Sequence, residues 1–162
     1  MKYNQIKGEI QLIRLEKMSS SEFQKYLSFA IKNYADEHVK SGNWNEKDAN
    51  IKAKEEYEKL LPQKEETPNN NFFTIRNDNQ EVGMIWFGKR SNEKGYIYDI
   101  NIWEDYQRYG YGKKSMIEVE NVAKNLGIKS IELHVFGHNK VARNLYKNFG
   151  YIEASIIMNK TL

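Results

Sequence analysis

The spacing of apolar residues changes repeatedly along the chain, and each change marks a new element. Ile10 to Leu15, IQLIRL, alternate as a strand with apolar residues on both faces. The next stretch is helical in period, with Phe23, Tyr26, Leu27, Ala30, Ile31, Tyr34 and Ala35 on one face. Ser19 and Glu22 have the spacing of a capping box at its start, and Gly42 marks its stop. A second helix, Glu46 to Leu61, is dense in Lys and Glu, as a solvated face requires, and ends against Pro62.

After the loop ETPNNN, residues 66–71, come three runs, FFTIR, EVGMIWF and GYIYDINI. The turn-forming breaks NDNQ and GKRSNEK between them predict an antiparallel meander. From Lys113 the helical period returns through Met116, Val119, Ala123 and Leu126, with Gly127 as a left-handed cap. SIELHVF then reads as a strand. NKVARNLYKNFG reads as a short helix, capped by Asn139 and Gly150, with Val141, Ala142, Leu145, Tyr146 and Phe149 inward. YIEASIIMNKTL is expected to close the chain as one strand or a pair. The expected order is β α α β β β α β α β: a mixed α/β domain over residues 1–162, with antiparallel strands first and a β-α-β unit after.

Composition narrows the chemistry. A net charge of +3 is small, and Lys and Glu are interspersed rather than clustered, which argues against nucleic acid as partner. The absence of cysteine excludes disulfides, cysteine-based zinc sites and a cysteine nucleophile. His38, His134 and His138 lie on separate segments with no HExxH-type pair, so no metal site is expected. The first residues, MKYNQIKGEIQLIRLEKM, are too charged for a signal peptide, and no apolar run reaches spanning length. A soluble, cytoplasmic protein with no membrane partner is the expectation.

One stretch carries a candidate site: DINIWEDYQRYGYGKKSM, residues 99–116, in which a strand passes through two close glycines into a helix. It fails as a Walker A loop, because Gln107 stands where the first glycine belongs and Lys114 where Ser or Thr belongs. It fails as a dinucleotide fingerprint, because Ser115 replaces the third glycine. What remains is a glycine turn feeding a helix N-terminus, whose free amides and positive dipole end suit a phosphate group, with Lys113 adding charge. A turn that merely connects strand to helix is the alternative on these residues alone.

Gln107-Arg108-Tyr109-Gly110-Tyr111-Gly112 resembles the [R/Q]-x-x-G-x-[G/A] signature of the GNAT superfamily, the acetyl-CoA-dependent N-acetyltransferases. HNKVARNLYKNFGY is similar to that family's later motif, N-x-x-A-x-x-x-Y-x-x-x-G-F. Asn139, Ala142, Tyr146 and Gly150 match it, and Tyr151 stands for the Phe. The resemblance covers residue 72 onward. It implies a mostly antiparallel sheet with a splayed parallel pair of strands and about four helices. It implies that the pyrophosphate of acetyl-CoA lies in the 107–113 turn, held by backbone amides of Tyr109, Gly110, Tyr111, Gly112 and Lys113. The pantetheine arm would run beside Ile102, with Asn139 on the far side. No metal is implied.

The same resemblance makes Tyr146 the acid that protonates the departing thiolate, against a plain core role on the inner helix face. Asp99 is the first candidate for the base that takes the amine's proton and Glu104 the second. A water relay is the alternative, since the family's best-known base position falls earlier, at Tyr96. Tyr34 and Trp44 are candidate walls of the acceptor site, and His138 is a loop residue or a proton relay. The expected function is acetyl transfer to a primary amine, of a small molecule or a peptide, by direct attack in a ternary complex. A catalytically inactive acetyl-CoA-binding or sensor protein is the alternative. A homodimer is carried as an expectation, because dimers are common among such proteins.

Overall fold

The computed structural model describes residues 12–162. Its first strand, β1, is Ile13–Lys17, a little later than expected; Ile10 and Gln11 lie outside the described residues. β2 (Asn70–Asn77), β3 (Gln80–Lys89) and β4 (Lys94–Ile102) form the meander, and β5 (Ser130–Leu133) completes a sheet of order β1-β2-β3-β4-β5. All pairings are antiparallel except β4 with β5, which is parallel.

Helices cover both faces. α1 (Ser20–Lys40) begins with the expected capping box: Ser19 Oγ accepts from the Glu22 amide, and Glu22 accepts from the Ser19 amide at 2.8 Å. Phe23, Tyr26 and Ala30 of α1 pack with Tyr57 of α2 (Glu46–Leu60) onto Phe72, Met84 and Trp86. On the other face, Met116, Val119 and Ala123 of α3 (Tyr111–Asn125) and Tyr146 of α4 (Lys140–Asn148) pack onto Ile75, Ile85, Phe87 and Ile97. β3 is buried on both sides, which is why its middle reads as an unbroken apolar run.

Two irregularities of β4 decide which groups it presents to each side. Trp86 pairs with Asp99 while Phe87 pairs with Ile97, so Tyr98 is an extra residue and β4 bulges there. The bulge turns Tyr98 and Asp99 to the same face: Tyr98 stacks on Trp86 at 4.3 Å, and Asp99 meets Tyr26 of α1. The parallel ladder with β5 ends at Ile97 and Leu133, and β4 runs on to Ile102 without that neighbour.

The structure corrects the sequence reading at the end of the sheet. His134 to Phe136 leave β5, and the Phe136 ring packs edge-on against His38 at 5.0 Å instead. Residues 151–162 form no strand. Alternating apolar residues make a strand only where a neighbouring edge pairs with them, and here none does.

Gly83 faces Ile102 across the β3–β4 ladder, and a Cβ there would stand 2.2 Å from the Asn101 carbonyl oxygen. Backbone cannot yield as a side chain would. Gly83→Ala is therefore expected to cost about 3 kcal/mol, the upper range for overpacking. The check is urea denaturation, with a lowered midpoint and an unchanged m-value.

Candidate active site

The turn between β4 and α3 has the backbone of an anion cradle. Arg108 and Gly110 both adopt left-handed φ, 69° and 78°, and Gly110 caps α3 with no side-chain hydrogen bond at the helix start. A positive φ is unusual at arginine and marks a position over-determined by its surroundings. The first amides of α3, from Tyr111 to Lys113, have no partner inside the helix, so they and the dipole end point outward. Space beside Gly110 is open, whereas a Cβ on Gly112 would touch Leu145 and Ile102. Gln107 ties the turn to the strand, its Nε2 donating to the Ile102 carbonyl at 3.0 Å. Tyr109 is exposed and stacks toward Tyr111, which is buried and accepts a hydrogen bond from Asn77. Lys113 is exposed beside the first turn.

The second part is the gap between the strands. Trp103 donates to the Val82 carbonyl at 2.9 Å, so by antiparallel alternation the backbone groups of Ile102 point the other way, toward the missing β5 neighbour. Asn139, at the head of α4, accepts from the Ala142 amide at 3.1 Å and is exposed beyond the end of β5. The two motifs therefore border one gap from opposite strands.

At the inner end of this gap is Asp99. It keeps some open surface but is walled in by protein, and burial raises its carboxyl to about 7. The Tyr26 hydroxyl, 3.5 Å away, and the Ile100 amide pull it partly back. Asp99's charge in turn raises the hydroxyls of Tyr26, Tyr57 and Tyr146, in each case after burial as the larger cause. Tyr146 reaches about 12, and its ring is buried in the α3–α4 core. Asp99 and Tyr146 thus lie on opposite faces of the sheet, near enough for the charge of Asp99 to act on the Tyr146 hydroxyl.

Glu104 is not part of this group. It opens a short 3-10 turn after β4 and is exposed. Tyr96 lies under the Arg90 guanidinium, 3.4 Å from the ring centre. Tyr34 and Trp44 pack around His38 at the far end of α1, and the Tyr34 hydroxyl donates to Glu56. His138 pairs with Glu37 of α1, which bridges the β5–α4 loop to that helix. Sequence reasoning passed over Tyr26 as core. Its helical spacing carried no sign that it would meet Asp99, because that meeting depends on the bulge. Among the described residues no cluster of His, Asp and Glu is arranged to hold a metal ion. No described helix is long and apolar enough to cross a membrane.

Comparison with known proteins gives this geometry its setting. The model of the acetyltransferase (GNAT) family matches residues 32–151. YycN of Bacillus subtilis, named as an uncharacterised N-acetyltransferase, is 35% identical over 93% of this chain and 99% of its own. Its crystal structure superposes with a TM-score of 0.91 over the same shares. YdgE of the same organism is 31% identical over 91% of this chain and 97% of its own. The PaiA N-acetyltransferase of Thermoplasma acidophilum, solved with coenzyme A, shares the fold at 22% identity and a TM-score of 0.67, over 90% of this chain and 93% of that one. A bulged strand, a parallel pair whose ladder stops short of the end of β4 and a helix that starts on a glycine turn all fall within the matched stretch: the chain belongs to the GNAT family of acetyltransferases.

Proposed function

We propose that this acetyltransferase moves the acetyl group of acetyl-CoA directly onto a primary amine, of a small molecule or a peptide, bound at the α1 side of Asp99. The observation that carries the reading is Asp99 itself, a carboxylate held near neutrality at the inner end of the strand gap. A general base works best when its pKa lies near the working pH.

The residues around the gap suit the cosubstrate. Its pyrophosphate fits the amides from Tyr109 to Lys113, with Gln107 and Arg108 shaping the turn and Lys113 adding charge. The arm fits the edge of β4 at Ile102, which has no β5 neighbour, opposite Asn139. A thioester carbon is the electrophile that acetyl-CoA supplies. Asp99 takes the proton from the incoming ammonium, whose ordinary pKa is near ~10. The Ile102 amide donates to the carbonyl oxygen as charge develops there. Tyr146, high in pKa and therefore protonated, gives its proton to the departing sulfur. The chain has no cysteine to carry the acetyl group as a thioester, which leaves direct transfer as the economical route. A neighbour of the same fold was solved with coenzyme A, which agrees with this choice of cosubstrate. A screen of primary amines with detection of released thiol is the first test. Acetyl-CoA binding without turnover on any amine would replace this reading with a sensor.

The mechanism has a defined pH dependence. Asp99 must be ionised to accept a proton, so kcat/KM should fall as pH drops through about 7. Asp99→Asn should remove that limb and lower kcat/KM by ~10²–10⁴-fold. Stability should move the other way. The folded carboxyl titrates near 7, against ~4 in the unfolded chain, so the folded state binds the extra proton between those values. Its contribution to stability is present at low pH and is lost as pH rises through 7. Asp99→Asn should therefore raise Tm at pH 8 and change it little at pH 4, as calorimetric scans at both pH values would show.

Tyr146→Phe keeps the ring and removes the proton. It should cut kcat by ~10²-fold or more, with acetyl-CoA affinity nearly unchanged. Initial-rate lines against both substrates should intersect. Parallel lines with an acetylated enzyme would overturn direct transfer, and a fully active Phe variant would return Tyr146 to the core. Gly110→Glu puts a carboxylate into open space at the head of α3, in a backbone conformation that disfavours a side chain. Acetyl-CoA affinity by calorimetry should fall at least ~10-fold, the factor for about 1.4 kcal/mol.

A further inference from the structure

Tyr26 is a phenol at a place where phenylalanine would pack as well. It is 4% exposed on the inner face of α1, beside Phe23 and Phe72, whose rings lie 6.1 and 5.9 Å from its own. Tyr57 of α2 with Met84 and Trp86 of β3 belong to the same cluster. Those ring contacts fix the side chain, and none of them requires a hydroxyl. A buried hydroxyl costs stability unless it is hydrogen-bonded. The Tyr26 hydroxyl donates to Asp99 Oδ2, 3.5 Å away.

The surroundings of Asp99 make that one proton count. α1 presents Tyr26, α2 presents Tyr57, and Tyr146 acts from α4; all three are neutral hydroxyls, kept protonated by burial and by the Asp99 charge. β3 presents Trp86, whose indole nitrogen donates to Asn70. On β4 the Ile100 amide bonds the carboxyl. Among the described residues none of the groups that shift Asp99 is a lysine or an arginine, and Tyr26 is the one side chain that favours its ionised form. Burial opposes that form and is the larger cause. An ionised carboxylate offers about four acceptor positions. Tyr26 and the Ile100 amide supply two donors, which leaves Asp99 room to receive a proton. Tyr26 cannot receive it instead, because its own pKa stands well above the usual tyrosine value.

We propose that Tyr26 is a positioning residue of this acetyltransferase: its hydroxyl holds the Asp99 carboxylate ionised and oriented for the incoming amine. This rests on the reading of Asp99 as the base. The amine's proton passes to Asp99, Tyr26 keeps its own throughout, and neither residue forms a covalent bond. Without the hydroxyl the carboxyl would be harder to ionise, and it would stand idle over more of the neutral range. The bulge at Tyr98 turns Asp99 toward α1, and Tyr26 is the α1 residue whose polar end meets it there.

Tyr26→Phe keeps the ring and removes the donor. The acidic limb of kcat/KM should move up by roughly one pH unit, the usual size for one hydrogen bond to a carboxylate. At pH 6 kcat/KM should then be about tenfold below wild type, and at pH 9 within about twofold of it. The acceptor's own titration is common to both proteins and cancels in the ratio. The Asp99 carboxyl carbon, followed by carbon-13 NMR and assigned by its loss in Asp99→Asn, should titrate at about 7 in the wild type and higher in Tyr26→Phe. Folding gives a readout free of activity. A folded pKa raised further loses more stability as pH rises, so Tyr26→Phe should lower Tm more at pH 9 than at pH 5, where Asp99 is protonated. In the Asp99→Asn background that difference should vanish. A variant that folds only at acid pH is the same outcome in a stronger form. Failure to fold at pH 5 as well, or an equal loss of rate at every pH, would make the hydroxyl structural and overturn the proposal. So would an unmoved NMR midpoint. A limb that survives Asp99→Asn is a separate failure: it removes Asp99 as the base, and the proposal with it, whatever the NMR midpoint shows.

Discussion

The parallel ladder between β4 and β5 runs from Lys94 and Ser130 to Ile97 and Leu133 and then stops, while β4 continues to Ile102. Past the break β4 stays paired with β3, but every second residue turns its backbone groups to the side where β5 has ended, and buried backbone groups of that kind demand partners. The alternation of the β3–β4 ladder aims Ile102 into that space, and α3 begins only a short turn later with its own unpaired amides. A longer β5 would fill the site with the protein's own backbone.

The bulge at Tyr98 complements the break. Without an extra residue, strict alternation would put Ile97 and Ile100 on opposite faces; with it, both join the core beneath α3 and α4. Asp99 is thereby turned toward Tyr26 under α1, where burial holds its carboxyl near neutrality. The cost is a carboxylate ionised in a place that resists charge. Under the proposed mechanism that cost has a use, because a solvated aspartate is too weak a base for proton transfer at neutral pH. Local stability is given up at Asp99 while Trp86, Phe87 and Ile85 around it are fully buried.

How the sheet ends is the other organising question. β1 and β5 are its two edges, and β5 is only four residues long. Phe136 and His138 leave the strand line for α1, where they meet His38 and Glu37. Those contacts fasten the second half of the chain to the first helix across the sheet. They also keep β5 to four residues.

The sequence alone determined the elements whose signals are local. The capping box at Ser19, the three strand runs of β2 to β4 set apart by turn residues, the left-handed glycine at Gly127 and the cap at Asn139 all stand where the pattern put them. So does the glycine turn before α3, because its chemistry is written in adjacent residues. Tertiary structure alone decided the rest. It moved Asp99 to the α1 face through one extra residue, ended β5 at Leu133 despite three more strand-like residues, and left the strand-like residues 154–162 without a ladder. The reason is common to all three: a strand exists only with a partner edge, and a carboxyl's pKa depends on what surrounds it. Neither partner nor surroundings is written in the local sequence.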